Sequence, residues 1–442
     1  MSESVAKMSV EEKLAALVRF PTIASPEGEK EDVTAFAGCR RAILDMYPNL
    51  IKAGENHLVE GRGLVIRFPG ETSENPWVLM AHYDVVPARE EGWIHPPFSG
   101  LIKDGYVFGR GTLDTKGTLA CMLQAAEEMA AAGQKPKQDV FFCFSADEET
   151  YGPTAENIIK FLKEKGWFPA FVLDEGGKLG AAPLPGFKGL AALVGVAEKG
   201  MAIMRLSVSG KGGHASAPPR ETQTDVLVRA MNRIRKNPFP LRLIPMMKDF
   251  FKALSPACGF PYSVMYKYPD AFSALIFRHF TSQAGDKGAM LRTTCVLTQM
   301  AGSTATNVMP DTATAGYNLR LLPGDDPEGC RERLNKVVND ERVKVEFVAG
   351  NAPSPVSKTQ GLGYDNIKNA VSAVWPEAIT APSLVLGATD AYYYSLLCDR
   401  VYRFSPLLVD AEDLKGVHAA NERVTVRALH DAVKFYKALL TQ

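Results

Sequence analysis

Three apolar runs in the first half of the chain end in groups that can hold a metal ion or move a proton. Trp77-Val78-Leu79-Met80-Ala81 leads into His82-Tyr83-Asp84, Val140–Ser145 into Asp147-Glu148-Glu149, and Ala170–Leu173 into Asp174-Glu175-Gly176-Gly177. Asp114 closes the loop Gly109-Arg110-Gly111-Thr112-Leu113-Asp114, and His418 follows Gly416-Val417. Imidazole and carboxylate donors without thiolates suit zinc, manganese or cobalt, and five ligands with one bridging carboxylate suit a pair of ions. Glu148 and Glu149 are adjacent at a strand end and so point to opposite sides. One can bind metal while the other faces the attacking water, takes its proton and returns it to a leaving nitrogen. His82 and Asp84 are two residues apart on one side of a strand, so Asp84 can orient the imidazole. Taken singly each has an ordinary reading: Asp114 as a helix N-cap, the Glu pair as solvated surface, His82–Asp84 as a structural pair near a turn. Their repetition at strand ends sets them apart, because side chains there emerge into the crevice beyond an α/β sheet.

The elements that must position these groups alternate. Leu64–Phe68, Val78–Ala81, Val140–Ser145 and Ala170–Leu173 read as strands, and Glu29–Met46, Lys116–Ala132 and Ala155–Lys165 as helices. That order predicts an α/β catalytic domain, a mostly parallel sheet flanked by helices. The pattern then changes. Ala202–Val208, Leu291–Gln299 and Thr312–Leu321 alternate with period two, Thr222–Lys236 is an amphipathic helix, and Asn237–Ser282 is a Pro-, Phe- and Met-rich stretch with no clear period. These predict an inserted α+β domain over 199–311, between catalytic segments 1–198 and 312–442. Helices at Pro327–Val338, Tyr364–Val374 and Val426–Leu440 and a short strand at Ser383–Leu386 complete the second catalytic segment.

Bulk properties narrow the class. A chain of 442 residues implies two domains. Lys plus Arg and Asp plus Glu each number 50, so no overall field favours nucleic acid or an anionic membrane. No window is apolar enough to span a membrane, and the N-terminal residues lack a signal-peptide pattern. Seven scattered cysteines without a Cys-x-x-Cys pair argue against a disulfide framework or a thiolate zinc site. A cytoplasmic enzyme is expected.

The motifs His82-x-Asp84-Val-Val-Pro, Trp93–Gly100, Gly109-Arg-Gly-Thr-Leu-Asp114, Asp147-Glu148-Glu149, Leu173-Asp-Glu-Gly-Gly177 and Gly416-Val-His418-x3-Glu422 run in order over nearly the whole chain. Together they resemble the di-zinc aminoacylase, carboxypeptidase S and glutamate carboxypeptidase superfamily, and within it the carboxypeptidase S and N-acyl-amino-acid hydrolase branch. The resemblance implies two divalent ions, zinc first and cobalt or manganese as alternatives. It implies His82, Asp114, Glu149 and His418 as ligands with Asp114 bridging, Glu148 as general base, and Asp84 as the residue orienting a ligand or tuning the base. The fifth ligand falls in Asp174-Glu175, with Asp174 preferred and Glu175 the alternative. The insertion then resembles a lid that also dimerises. His214 in Gly212-Gly213-His214-Ala215-Ser216 matches a lid histidine that reaches the partner's site. Asn307 and Arg320 match substrate-contacting positions, Arg320 as the clamp for a terminal carboxylate. One position departs from the pattern: Tyr392 follows Gly387-Ala388-Thr389-Asp390-Ala391 where the branch usually carries Arg.

The function expected is hydrolysis of the amide bond in a small peptide or N-acyl amino acid. A succinyl or carbamoyl amide is the alternative substrate for the same site, and an inactive relative used as a binding module is the alternative class. Retention of both Glu148 and Asp84 weighs against the last. The absence of a Gly-x-Gly-x-x-Gly opening a helix excludes a dinucleotide enzyme.

Overall fold

The computed structural model of the chain describes residues 8–26, 31–281 and 286–442. An eight-stranded sheet forms its centre, in the order Glu55–Val59, Gly63–Phe68, Gln138–Ser145, Thr72–His82, Phe171–Gly180, Val401–Leu408, Ala191–Glu198, Ile379–Val385. The four middle strands, Gln138–Ser145 to Val401–Leu408, run parallel. Their sequences explain why. Trp77, Leu79 and Ala81 enter the core on one face and Val78 and Met80 on the other; Phe142 and Phe144 oppose Phe141 and Cys143 in the same way. Strands apolar on both faces need helices on both sides, which is the parallel-sheet arrangement. One face is covered by Val10–Val18, Lys116–Ala131, Tyr364–Val374 and Val426–Leu440, the other by Thr154–Glu164 and Ala391–Tyr394. Among the described residues no helix is long and apolar enough to cross a membrane.

A second sheet of four antiparallel strands has the order Thr294–Ala301, Thr312–Leu321, Gly200–Ser209, Val343–Asn351. Its helices Gln223–Lys236 and Pro327–Val338 share a separate core of residues such as Leu206, Val226, Ala315 and Leu334. This corrects the expected boundaries of 199–311 in two places. Strand Thr312–Leu321 belongs to the second sheet because all ten of its residues pair with Gly200–Ser209, so that body continues to Asn351. The Phe- and Met-rich stretch does the opposite. Helix Pro245–Leu254 packs against strand Ile379–Val385 of the main sheet, and Met247, Phe250, Phe251, Tyr266 and Phe280 are buried in the main core. Two apolar faces, rather than position in the chain, decide which body each segment joins. The predicted helix at Glu29–Met46 is Val33–Met46; Glu29 and Lys30 lie outside the described residues, as does Ser282.

Candidate active site

Because the middle strands run parallel, their C-terminal ends collect at one edge. Register places His82 beside Ser145 and Leu79 beside Leu173, so the residues that follow face a common crevice. Asp114 arrives from the loop before helix Lys116–Ala131, and His418 from the turn before the short strand Arg423–Thr425. The Asp114–Thr115 peptide is cis.

Two triads that could each hold a metal ion form there, His82–Asp114–Glu175 and Asp114–Glu149–His418, each with its donor atoms within 4.8 Å of one another. His82 Nε2 lies 3.0 Å from Asp114 Oδ1 and 3.1 Å from Glu175 Oε1. His418 Nε2 lies 3.0 Å from Asp114 Oδ2 and 3.2 Å from Glu149 Oε1. Asp114 thus offers one oxygen to each triad, the geometry a bridging carboxylate requires. The donor set is nitrogen and oxygen only, and its crowded negative charge fits a pair of divalent cations. Asp174 is not part of it: its Oδ2 accepts the Ala391 N–H at 3.0 Å, while the neighbouring Glu175 faces His82. The preference for Asp174 is therefore corrected to Glu175. The strand turns directly after it, with Gly176 at φ +98, and a Cβ on Gly177 would lie 2.1 Å from the Arg403 carbonyl. Only glycine lets the strand end bend beneath its neighbour.

Asp84 is fully buried, with Oδ1 3.4 Å from His82 Nδ1 and Oδ2 accepting the Glu149 N–H at 3.1 Å. The main-chain carbonyl of Asp84 holds the His82 Nδ1 at 3.0 Å while its carboxylate holds the Glu149 backbone, so one residue orients a group of each triad. Glu148 stands outside both triads and lines a cavity of about 250 Å³ with Tyr151, Thr389, Asp390, Tyr392 and Tyr393. Burial raises its proton affinity well above a free carboxylate's, and Asp390, Glu175 and Asp114 raise it further against the opposing pull of His82. Burial and Asp114 push Glu175 up to about 7. Hydrogen bonds to Asp114 and Glu149 push His418 up to about 10. Although burial opposes it, the carboxylates of Glu175, Asp114 and Asp84 also raise His82 well above the usual imidazole value. Such crowded titrating groups are what a cation-binding centre presents before its ions bind.

Two further groups carry no chemistry in a sequence reading but hold the site. Glu422 is fully buried and accepts from Arg110 at 2.7 Å and from the N–H groups of Gly111, Leu113 and Asp114 at 3.1, 2.7 and 3.2 Å. It welds the His418 turn to the Asp114 loop. Its place four residues after His418 was the one available signal; flanked by Asn421 and Arg423, it otherwise looks solvated. Beneath the small cavity, Glu198 pairs with buried Arg403 at 3.2 Å and accepts the Thr389 hydroxyl at 3.1 Å, and Asp390 accepts from the Ser145 hydroxyl. This network fixes the segment that carries Tyr392.

The expected substrate residues fall in three places. Tyr392 lines the small cavity. Arg320 pairs in register with Met201, which pairs with Asn351, and both of those line that cavity; Arg320 Nη1 is buried without a hydrogen-bond partner among the described residues. His214 and Asn307 lie side by side at the exposed tip beyond strand Gly200–Ser209, in a small two-stranded sheet where His214 pairs with Val308 and Ala215 N–H donates to the Asn307 carbonyl at 2.9 Å. His214 Nδ1 accepts from Ser216, and among the described residues no hydrogen bond or ion pair joins the tip to the triads.

The sequence model of peptidase family M20/M25/M40 matches residues 78–442. The human N-fatty-acyl-amino acid synthase/hydrolase PM20D1 is 34% identical over 441 residues, covering 98% of this chain and 88% of that protein. The probable carboxypeptidase S-like 2 of Dictyostelium discoideum is 32% identical, covering 99% and 85%. Among solved structures, the M20 metallo-carboxypeptidase Sso-CP2 of Sulfolobus solfataricus superposes with a TM-score of 0.65 at 18% identity, covering 98% and 99%, and human carnosine dipeptidase 1 with 0.64 at 15%, covering 98% and 95%.

Proposed function

The chain belongs to peptidase family M20/M25/M40, whose members named above include carboxypeptidases and N-acyl-amino-acid hydrolases, and on that premise we propose that it hydrolyses the amide bond of N-acyl amino acids bearing a free carboxylate. The observation that carries this is the placement of Glu148 beside, but outside, two triads that share Asp114. Divalent ions held by His82, Asp114, Glu149, Glu175 and His418, zinc foremost, supply a polarised carbonyl and an acidified water when bound. Glu148 accepts the proton of the attacking water at its carboxylate and delivers it to the leaving nitrogen. Its raised proton affinity suits a group that must hold a proton between those two events. Asp84 keeps His82 in one tautomer and orientation.

The leaving amino acid then lies on the Glu148 side, in the small cavity. Arg320, with an unpartnered buried nitrogen on the sheet face bordering that cavity, is our candidate clamp for its carboxylate. Tyr392 and Tyr393 supply a polar aromatic wall where a fixed cation was expected. We place His214 and Asn307 as donors to the developing oxyanion, delivered from a second copy of the chain. Supporting this, strand Thr294–Ala301 is a sheet edge that exposes Val296 and Met300, and it adjoins a groove against helix Gln223–Lys236 lined by Val228, Met231 and Tyr317. An apolar, unpaired strand edge suits pairing with its symmetry mate. Seven unpaired cysteines, six of them buried, favour a reducing compartment, and we keep the cytoplasm as the expected location. The test is a hydrolysis screen of N-acyl amino acids, each beside its carboxamide, with metal content measured on the same preparation. Preferred cleavage of the acids by metal-loaded enzyme is expected; equal cleavage of the carboxamides would remove the carboxylate requirement.

A further inference from the structure

The small cavity is built from both bodies. Met201, Gly350 and Asn351 reach it from the second sheet, and Tyr151 and residues of the segment 388–393 from the main body. Its shape therefore depends on how the two bodies sit against each other. Two connections between them run side by side next to it. Lys199 alone separates strand Ala191–Glu198 of the main sheet from Gly200–Ser209 of the second, and the chain returns from Val343–Asn351 through residues 352–354. A Cβ on Gly200 would lie 2.5 Å from the Pro353 nitrogen, so the outgoing and returning connections touch. Glu198 grips three residues at this point. Its N–H donates to Ser354 Oγ at 2.9 Å and its carbonyl accepts the Ser354 N–H at 3.2 Å, which ties one connection to the other. Its Oε2 accepts the Thr389 N–H at 3.3 Å, the Thr389 hydroxyl at 3.1 Å and Arg403 Nε at 3.2 Å. Glu198, Arg403 and Ser354 are all buried.

We propose that Glu198 is a positioning residue, a clasp through which the setting of the two bodies fixes the wall of the small cavity and so decides which leaving amino acid fits. The inference rests on the hydrolase reading, which puts the leaving amino acid in that cavity. A carboxylate buried at the crossing has no water with which to exchange its partners, so its donors keep one geometry. Thr389 in turn accepts the Tyr392 N–H at its carbonyl at 3.2 Å, so a displaced Thr389 carries the tyrosine wall with it. A shift of the second sheet moves Met201 and Asn351 on one wall directly. Through Ser354 and Glu198 the same shift pulls on Thr389 at the other. Glu198 does not itself line the cavity and acts through Thr389. Its Oε1 is buried without a hydrogen-bond partner among the described residues, so Glu198→Gln can keep the accepting oxygen while removing the charge that faces Arg403.

The test varies the leaving group at one acyl group, along N-acetyl glycine, alanine, 2-aminobutyrate and norvaline. A shaped cavity separates amino acids that differ by one methylene by about tenfold or more in kcat/KM. In Glu198→Gln that ratio should fall toward one, mainly through KM, with metal content unchanged. Thr389→Val removes only the hydroxyl and should lower the ratio too, whereas Thr389→Ser keeps the hydroxyl and should keep the ratio. Ser354→Ala, outside the cavity and the triads, should act in the same direction as Glu198→Gln but by less. Amide hydrogen exchange over residues 387–395 needs no turnover. It should quicken in Glu198→Gln and in Ser354→Ala but not in Val371→Ala, a main-core variant that lowers stability alone. A Glu198→Gln protein that loses activity equally on every leaving group, as a merely structural ion pair would, overturns the proposal. So does a wild type that does not discriminate along the series, or a Ser354→Ala protein with wild-type exchange. If Glu198→Gln does not fold, Ser354→Ala and the two Thr389 variants decide the matter. Faster exchange in both variants of a protein that hydrolyses no N-acyl amino acid would uphold the clasp while sinking the hydrolase reading.

Discussion

The triads and the tip beyond the second sheet contribute to the proposed reaction in opposite ways. At the triads, His82 and Asp84 are buried, and Asp84 and Glu422 hold ligand-bearing backbone by hydrogen bonds from elements far apart in sequence. At the tip, His214 and Asn307 are exposed, and among the described residues the His214 side chain is held only by Ser216, two residues on. The first arrangement is preorganised within one chain, so its groups need no reorganisation during reaction. The second becomes useful only when another surface, or a closing motion, delivers it. Damage to the triads should therefore be absolute and local, and damage to the tip should be rescuable by a second copy.

The largest effect expected separates the two neighbouring glutamates. Glu148→Gln keeps the shape but cannot take the proton, so kcat should fall by about 10²–10⁴ with metal content unchanged. Glu149→Gln should instead lower metal occupancy. Elemental analysis beside kinetics distinguishes them, and exchanged phenotypes would reverse the assignment.

His214→Ala removes one oxyanion donor and should cost on the order of 10²–10³ in kcat. Mixed with the Glu148→Gln chain, it should regain about a quarter of wild-type sites, since about half the dimers are mixed and each has one intact site. No regain despite proven subunit exchange would show that His214 acts within its own chain or not at all, and the tip would then be no part delivered by a second copy.

Arg320→Ala tests the region between them. Loss of a charge-assisted pair, worth roughly 1.5–3 kcal/mol, should lower kcat/KM about ten- to more than a hundredfold for an acid substrate and hardly at all for its carboxamide. Glu422→Gln weakens an anchor that never touches substrate. Metal affinity should drop by about ten- to a hundredfold, while the preference among leaving amino acids stays fixed.

The smallest effect is in protons. In the metal-free protein near neutral pH, His82 and His418 hold protons, the latter up to about 10, and Glu175 titrates at about 7. Ions bind the deprotonated forms, so loading must release protons. The carboxyl of Glu175 is protonated below its value, so its share grows as pH falls through about 7. Calorimetry in buffers of different ionisation enthalpy counts them; release that shrinks on acidification would contradict the arrangement.

Sequence periodicity locates helices Pro327–Val338, Tyr364–Val374 and Val426–Leu440 and strand Thr312–Leu321 with the bounds seen in the structure, because each has one apolar face at its own period. Periodicity does not say which sheet a two-period strand joins. Thr312–Leu321 pairs with a strand about a hundred residues earlier, and nothing local marks that partner. Strands Ala191–Glu198 and Val401–Leu408 are not marked in the sequence, the first because Ala191, Ala192, Gly195 and Ala197 carry little strand preference and the second because Arg403 and Pro406 interrupt its apolar run. The Asp174–Glu175 ambiguity has a similar root. Strand parity puts the two on opposite sides, but only the Ala391 N–H, supplied from over two hundred residues away, shows which side is occupied.

Glu422 has a temporal consequence as well as a spatial one. Its carboxylate meets Arg110, Gly111, Leu113 and Asp114 across 308 to 312 residues of chain, and His418 meets Glu149 across 269. Contacts of such separation form late, after the loops they close have been ordered. During synthesis the segments bearing His82, Glu149 and Glu175 leave the ribosome long before the turn that completes them, so the nascent protein carries a half-centre without its fifth residue, His418. Hydrolytic competence switches on only when the stretch from Gly416 to Glu422 docks, which makes activity itself a reporter of finished folding.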